Sequence, residues 1–190
     1  MKLLTLKLSF KNMNSIELHN RKFNLFIDAN SIQNAIDNVA NDISRDYKDR
    51  NPVFLGVLNG SFLFTADVVR RFEGNCEVNF IRLASYQGTD STGTIKEVMG
   101  LNENIKNRDV LILEDIVDSG NTLEYIIEVL RSHKPRSLKV ATFLFKPKAY
   151  LKDIPVDYVG IEVGNEFLVG YGLDFDGHGR NLEDVYIIEE

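Results

Sequence analysis

The chain has 190 residues, 44% hydrophobic and 26% charged, with 22 Lys+Arg against 28 Asp+Glu and a net charge of −6. This is an ordinary globular composition, long enough for one domain over 1–190 to bury a full core. Its acid excess weighs against nucleic acid as a partner, its lone Cys76 excludes an intrachain disulfide and fits a reducing cytoplasm, and no apolar run approaches the roughly 20 residues of a membrane helix.

Residues 1–10 alternate apolar and polar side chains, but Lys7 interrupts the stretch and no small-residue cleavage site follows. The segment therefore reads as an edge strand or an extension over 1–12, not a signal peptide, and Met13 is a second candidate start. Residues 31–47 read as an amphipathic helix, with Ile32, Ala35, Ile36, Val39, Ile43 and Tyr47 on one face and Asn30 or Ser31 as its cap. The continuous apolar run 53–58 predicts a strand buried on both faces. Asn59-Gly60-Ser61 then turns the chain into a helix ending near Phe72. A strand over 78–83 leads into a polar, Gly- and Thr-rich loop over 85–97. A buried strand over 109–113, a helix over 122–133 and strands over 138–145 and 158–163 complete the pattern. Alternating strands and helices predict an α/β fold, a mostly parallel sheet with helices on both faces. Ligands bind such sheets beyond the carboxyl ends of the strands, which points to the turns after Leu58, Leu83, Leu113 and Phe145.

The most informative of these turns is Glu114-Asp115-Ile116-Val117-Asp118-Ser119-Gly120-Asn121-Thr122. Its second half can cradle a phosphate. Gly120 admits close approach, the following helix offers unpaired N–H groups, and Ser119 and Thr122 add hydroxyls. Glu114 and Asp115 would repel a phosphate directly, so their presence predicts Mg²⁺ between carboxylates and phosphate. The segment is neither a nucleotide P-loop nor Gly-x-Gly-x-x-Gly.

Glu114 to Thr122 resembles the phosphoribosyl-pyrophosphate signature of the type I phosphoribosyltransferases. Other runs narrow the resemblance to the hypoxanthine (6-oxopurine) phosphoribosyltransferases. Leu58-Asn59-Gly60-Ser61 resembles their pyrophosphate loop, and Ser85-Tyr86 the start of their mobile lid. Lys146 falls where they carry a purine-reading lysine. Phe167-Leu168-Val169-Gly170-Tyr171-Gly172-Leu173-Asp174 resembles their base-stacking and second-metal segment, followed by Arg180-Asn181-Leu182. The match runs in order from about Asn30 to the C-terminus.

The resemblance implies a type I phosphoribosyltransferase fold with a small hood built from N-terminal residues and 165–190. It implies transfer of ribose 5-phosphate from phosphoribosyl pyrophosphate to a 6-oxopurine, in a homodimer or homotetramer. Glu114 and Asp115 would act near the ribose hydroxyls and one Mg²⁺, and Asp174 near a second. Asp118 would be the general base facing purine N7; read alone, it serves equally as a helix cap. Asp118, Ser119, Gly120, Asn121 and Thr122 would hold the 5′-phosphate end. Lys146 would donate to O6, which suits a 6-oxo group and mismatches adenine; the plain alternative is a solvated loop lysine. Phe167 would stack on the base beside Leu168, or else be a core phenylalanine. Asn59, Gly60, Ser85, Tyr86 and Arg180 would meet pyrophosphate. Many relatives carry Lys or Arg at the Asn59 position, so Arg180 is expected to supply the missing charge. A cis peptide is implied at Leu58–Asn59. The rival reading is a regulator on the same fold that binds phosphoribosyl pyrophosphate and RNA. It needs a basic face, which the net acidity disfavours.

Overall fold

A computed structural model describes residues 14–85, 95–99 and 104–189. The expected strand or extension at 1–12, Met13 and most of the 85–97 loop lie outside the described residues. Chain order is β1 (Ser15–Leu18), β2 (Arg21–Ile27), α1 (Ala29–Tyr47), β3 (Val53–Leu58), α2 (Phe62–Arg71), β4 (Glu77–Ser85) and β5 (Ile95–Met99). It continues with β6 (Asp109–Val117), α3 (Asn121–Ser132), β7 (Ser137–Phe145), β8 (Tyr158–Glu162), β9 (Leu168–Val169) and β10 (Val185–Ile188).

Six strands form one sheet in the order β5-β4-β3-β6-β7-β8. Every neighbouring pair is parallel except β4 with β5. The apolar runs of the central strands divide between two faces by simple alternation. Phe54, Leu111 and Leu113 face the core shared with Ile36 and Ile43 of α1 and Phe64 and Val68 of α2. Val53, Leu55, Val57, Val110 and Ile112 face the other way, onto Leu123, Ile126 and Leu130 of α3. Both faces are covered, which is why these strands carry no polar alternation.

The crossovers diverge between β3 and β6. From β3 the chain passes through α2 to β4 on one side, and from β6 through α3 to β7 on the other. The carboxyl ends of β3 and β6 therefore flank the crevice where such sheets bind ligands. Over this end sits a second, antiparallel sheet in the order β1-β2-β10-β9. Its own cluster is Phe23, Val169 and Tyr186, with Phe175 packed against it. Its strands come from the two segments to which the resemblance assigns a hood, hence the name hood for this sheet.

Three expectations change. Asp28, not Asn30 or Ser31, caps α1: its carboxylate accepts from the Ser31 N–H and hydroxyl, each at 2.9 Å. Only Asp28 lies far enough upstream for its side chain to reach the third helical N–H. The strand expected to end at Leu113 runs on to Val117 because pairing with β7 continues through Glu114↔Thr142, Ile116↔Leu144 and Val117↔Phe145. Residues 95–97, expected in the loop, open β5, whose antiparallel ladder with β4 pairs Glu97 with Ala84 and Ile95 with Ser85.

Candidate active site

The crevice holds a cleft of about 500 Å³. Three segments supply its wall: Leu58 to Gly60 at the end of β3, Glu114 to Thr122 at the end of β6, and Asp174 with Arg180 from the hood. Val57, Leu83 and Ile116 give it an apolar floor; the sequence assigns none of them that role, because an apolar strand end looks the same whether it meets core or ligand.

Glu114 and Asp115 close the strand. Glu114 is 5% exposed and Asp115 is partly buried. Among the described residues neither forms an ion pair. Burial, reinforced by the neighbouring Asp115 charge, raises the Glu114 carboxyl well above its ordinary range. Burial likewise pushes Asp115 up to about 6, opposed by the Ile116 N–H, which donates to its Oδ1 at 2.9 Å, and by the Arg180 charge. Two adjacent, desolvated carboxylates with no ion-pair partner among the described residues are a donor set that fits a hard divalent ion. No group of three or more metal-ligating side chains occurs among the described residues, so such an ion would take its remaining ligands from substrate and water, as Mg²⁺ usually does.

The turn that follows is shaped by Gly120, whose φ of 85° is left-handed. A Cβ there would strike the Tyr150 ring, which lies beneath the loop. The loop is held from that side: Leu151 N–H donates to the Ser119 carbonyl at 3.2 Å, and Lys152 pairs with Glu124 in the first turn of α3 at 2.5 Å. No side chain caps α3. Its first N–H groups, with the exposed Asn121 and Thr122 and the half-buried Ser119, lie at the cleft wall, an arrangement that can take an anion.

Asp118 does not cap that helix. Its Oδ2 accepts from Lys146 Nζ at 3.0 Å. Lys146 is 8% exposed, and its backbone N–H is fixed to the Val117 carbonyl at 2.9 Å. It is therefore no solvated loop lysine, while the Asp118 side chain remains 54% exposed. The 28-residue separation of this pair left no mark in the sequence.

The pyrophosphate-loop candidates stand opposite. The Leu58–Asn59 peptide is cis. Asn59 is exposed and Gly60 buried. A Cβ on Gly60 would overlap the Asp115 carboxylate, and one on Gly172 would overlap the Gly60 carbonyl, so two backbone layers stack on that carboxylate at the cleft's edge. Gly172 has a φ of 95° and its carbonyl accepts from Arg180 Nη1 at 2.7 Å. Arg180 Nη2 pairs with Asp174 Oδ1 at 2.6 Å, and the Gly177 N–H donates to Asp174 Oδ2 at 2.7 Å. Arg180 thus lines the cleft from which Asn59 withholds a charge.

Phe167 is not a core residue. Its ring is 45% exposed in the hood, tilted against Phe23 at 6.4 Å and edge-on to Phe175 at 5.6 Å. Leu168 is buried in the main core instead. Ser85 ends β4; Tyr86 lies outside the described residues. Sequence reasoning also missed Tyr171, whose hydroxyl donates to Asp67 at 2.8 Å and ties the Gly170–Gly172 turn to α2.

A family model described as a phosphoribosyl transferase domain matches residues 28–176. The hypoxanthine-guanine phosphoribosyltransferase of Staphylococcus epidermidis is 42% identical over 87% of this chain and 93% of its own length. That of Aquifex aeolicus is 39% identical over 92% of this chain and 99% of its own. A bifunctional TilS/HprT protein of Listeria monocytogenes is 38% identical over 90% of this chain, which spans only 27% of that longer protein. Among solved structures, a hypoxanthine-guanine phosphoribosyltransferase from Bacillus anthracis superposes with a TM-score of 0.79 at 33% identity, over 88% of this chain and 97% of that one. A hypoxanthine phosphoribosyltransferase from Staphylococcus aureus gives 0.79 at 36% identity, over 93% and 98%.

Proposed function

The chain belongs to the phosphoribosyl transferase family, and we propose that it transfers the 5-phosphoribosyl group from phosphoribosyl pyrophosphate to hypoxanthine and guanine. The products are the purine nucleotide and pyrophosphate, as in purine salvage. The observation that carries this reading is the contact of Asp118 with Lys146 beside the Glu114–Asp115 strand end and the Ser119–Thr122 cradle. A bare phosphate-binding turn would give neither of those two side chains a task.

In this reading the 5′-phosphate sits on the N–H groups and hydroxyls of 119–122, and the ribose lies over Glu114 and Asp115. Glu114 and Asp115 would hold Mg²⁺, which would supply positive charge for the leaving pyrophosphate. Asp174 would help to hold a second Mg²⁺. Asn59 and Gly60 offer backbone N–H groups to pyrophosphate, and Arg180 offers its guanidinium. Cleavage at the anomeric carbon builds oxocarbenium-like charge on the sugar. The chain's task is to hold base, sugar and leaving group in register. Lys146 leaves Asp118 for purine O6, freeing Asp118 to take the N7 proton. Phe167 stacks on the base from the hood. The lid expected near Ser85 and Tyr86 would exclude water.

The wider assembly follows the same reading. Exposed Phe62, Val78 and Phe80 support a homodimer or homotetramer. No described helix is long and apolar enough to cross a membrane, and a cytoplasmic site is proposed. The Staphylococcus epidermidis and Aquifex aeolicus relatives are named as phosphoribosyltransferases, and neither as an RNA-binding regulator.

One assay decides. The protein is incubated with phosphoribosyl pyrophosphate, Mg²⁺ and each purine base, and nucleotide is followed chromatographically. Turnover with hypoxanthine and guanine but not adenine is expected. No nucleotide from hypoxanthine, guanine or xanthine overturns the proposal.

A further inference from the structure

Two tight turns of the hood meet outside the cleft, and each contributes one imidazole. His19 and Asn20 form the two-residue turn of the β1–β2 hairpin, with φ of 46° and 61°. Asp176 and Gly177 form a second such turn, closed by paired hydrogen bonds between Phe175 and His178 at 2.9 and 3.0 Å. Positive φ at both central residues gives each hairpin the twist of a type I′ turn, so its flanking residues are placed firmly. Across the gap, His19 Nε2 lies 2.9 Å from His178 Nδ1, with the rings nearly perpendicular at 82°. The Asp176 carbonyl oxygen is 3.0 Å from the same Nδ1. Both imidazoles are exposed, and among the described residues their far nitrogens have no hydrogen-bond partner.

That spacing is what two cis ligands show around one ion, since metal–nitrogen bonds of about 2.05 Å at a right angle set the nitrogens about 2.9 Å apart. We propose that His19 Nε2 and His178 Nδ1 form a surface clip for a divalent transition metal of the zinc, copper and nickel class. The Asp176 carbonyl and waters complete its coordination. On binding, the ring that donates in the His–His contact moves its proton to its solvent-facing nitrogen, so both inner nitrogens present lone pairs. No net proton is lost. Imidazole suits these ions and not Mg²⁺, which prefers oxygen, so the clip is chemically separate from Glu114 and Asp115.

The clip has a structural consequence. Phe175 stands edge-on to His19 at 5.6 Å and to Phe167 at 5.6 Å. An ion joining the two turns therefore fixes the aromatic row that ends at Phe167, together with the loop from Asp174 to Arg180.

The test is a calorimetric Zn²⁺ titration of the full chain in excess Mg²⁺, which keeps the acidic cleft from taking zinc. One Zn²⁺ per chain is expected, with a dissociation constant on the order of 1–100 µM. It should weaken tenfold or more in both His19→Asn and His178→Gln. His133→Asn, which removes the third histidine at the end of α3, should bind as the parent does. Melting curves without metal check that each variant is folded. With Cu²⁺, the electron paramagnetic resonance spectrum should show coupling to two nitrogens, reduced to one in either hood variant. No saturable Zn²⁺ binding at about 100 µM, or a loss confined to one of the two hood histidines, overturns the clip and leaves an ordinary His–His hydrogen bond.

Discussion

Asp118 and Lys146 are each legible in the sequence as chemistry-bearing residues, yet what distinguishes their roles is a contact that no spacing reveals. Asp118 follows a strand and precedes a helix, the position of a cap. The cap is instead left open by Gly120, and the carboxylate turns to Lys146 at 3.0 Å. A carboxylate that neither caps nor is buried, 54% exposed at the rim of a cleft, is free to reach a substrate proton. Asp118→Asn keeps the size and a hydrogen bond to Lys146 but removes the basic lone pair. General-base removal costs about 10²–10⁴-fold in rate, so kcat for hypoxanthine should fall by about 100-fold or more. KM for phosphoribosyl pyrophosphate should move by less than about threefold, because the Asn Oδ1 still accepts where the carboxylate did. Steady-state kinetics over both substrates separates these effects. An unchanged kcat would leave Asp118 as a mere anchor for Lys146. The Phe167 ring presents the opposite case: its exposure in the hood depends on β9 pairing with β10, a long-range event invisible in a local apolar run.

Element types were readable because periodicity reports burial, and burial is what the sheet and its three helices share. Boundaries were less readable because tertiary pairing overrides local preference. Two carboxylates after Leu113 look like the end of a strand. Yet β7 supplies partners as far as Val117, and the resulting extra turnless stretch is what carries Glu114 and Asp115 into the cleft as rigid strand residues. The start of α1 was misplaced for a related reason. Asp28-Ala29-Asn30-Ser31 offers three capping side chains, and the choice is made where β2 delivers the chain. Ala29 N–H donates to Asp184 Oδ1 at 2.7 Å, which fixes the entry from the hood. The Ser31 N–H and hydroxyl together hold the Asp28 carboxyl below its ordinary range. Losing an Asp cap costs about 1 kcal/mol, so Asp28→Ala should lower the urea midpoint by that equivalent with an unchanged slope. Asn30→Ala should have little effect. Equal losses from the two variants would return the cap to Asn30.

The whole molecule carries a net charge of −6 and is proposed to bind a highly anionic sugar phosphate. The resolution lies in where a few of its acids are kept. Glu114 and Asp115 are held in the cleft at a cost to the fold, because desolvation disfavours their charged forms. The direction of that cost with pH follows from linkage. Asp115 titrates near 6 in the folded chain against an ordinary 3.8. Between these values the folded state binds more protons than the unfolded one, so stability falls as pH rises through the window. Glu114 shifts the same way and adds to the trend. A displacement of this size corresponds to at most about 3 kcal/mol; solvent screening of a partly buried group reduces it to the order of 1–2 kcal/mol. Asp115→Asn removes the charge and retains an acceptor for the Ile116 N–H. In metal-free buffer at pH 7 it should therefore melt a few degrees above the parent, given about 2–4 °C per kcal/mol for a chain of this size. At pH 4, where the parent carboxyl is already protonated, the two melting temperatures should converge. The same variant should bind Mg²⁺ with phosphoribosyl pyrophosphate poorly and lose most turnover, a gain in stability made at the expense of the site. Added Mg²⁺ and substrate should raise the parent's melting temperature and leave the variant's nearly unmoved. A variant no more stable than the parent at pH 7, or an advantage that persists unchanged at pH 4, would show that the acidic strand end is not the place where this fold trades stability for an anion site.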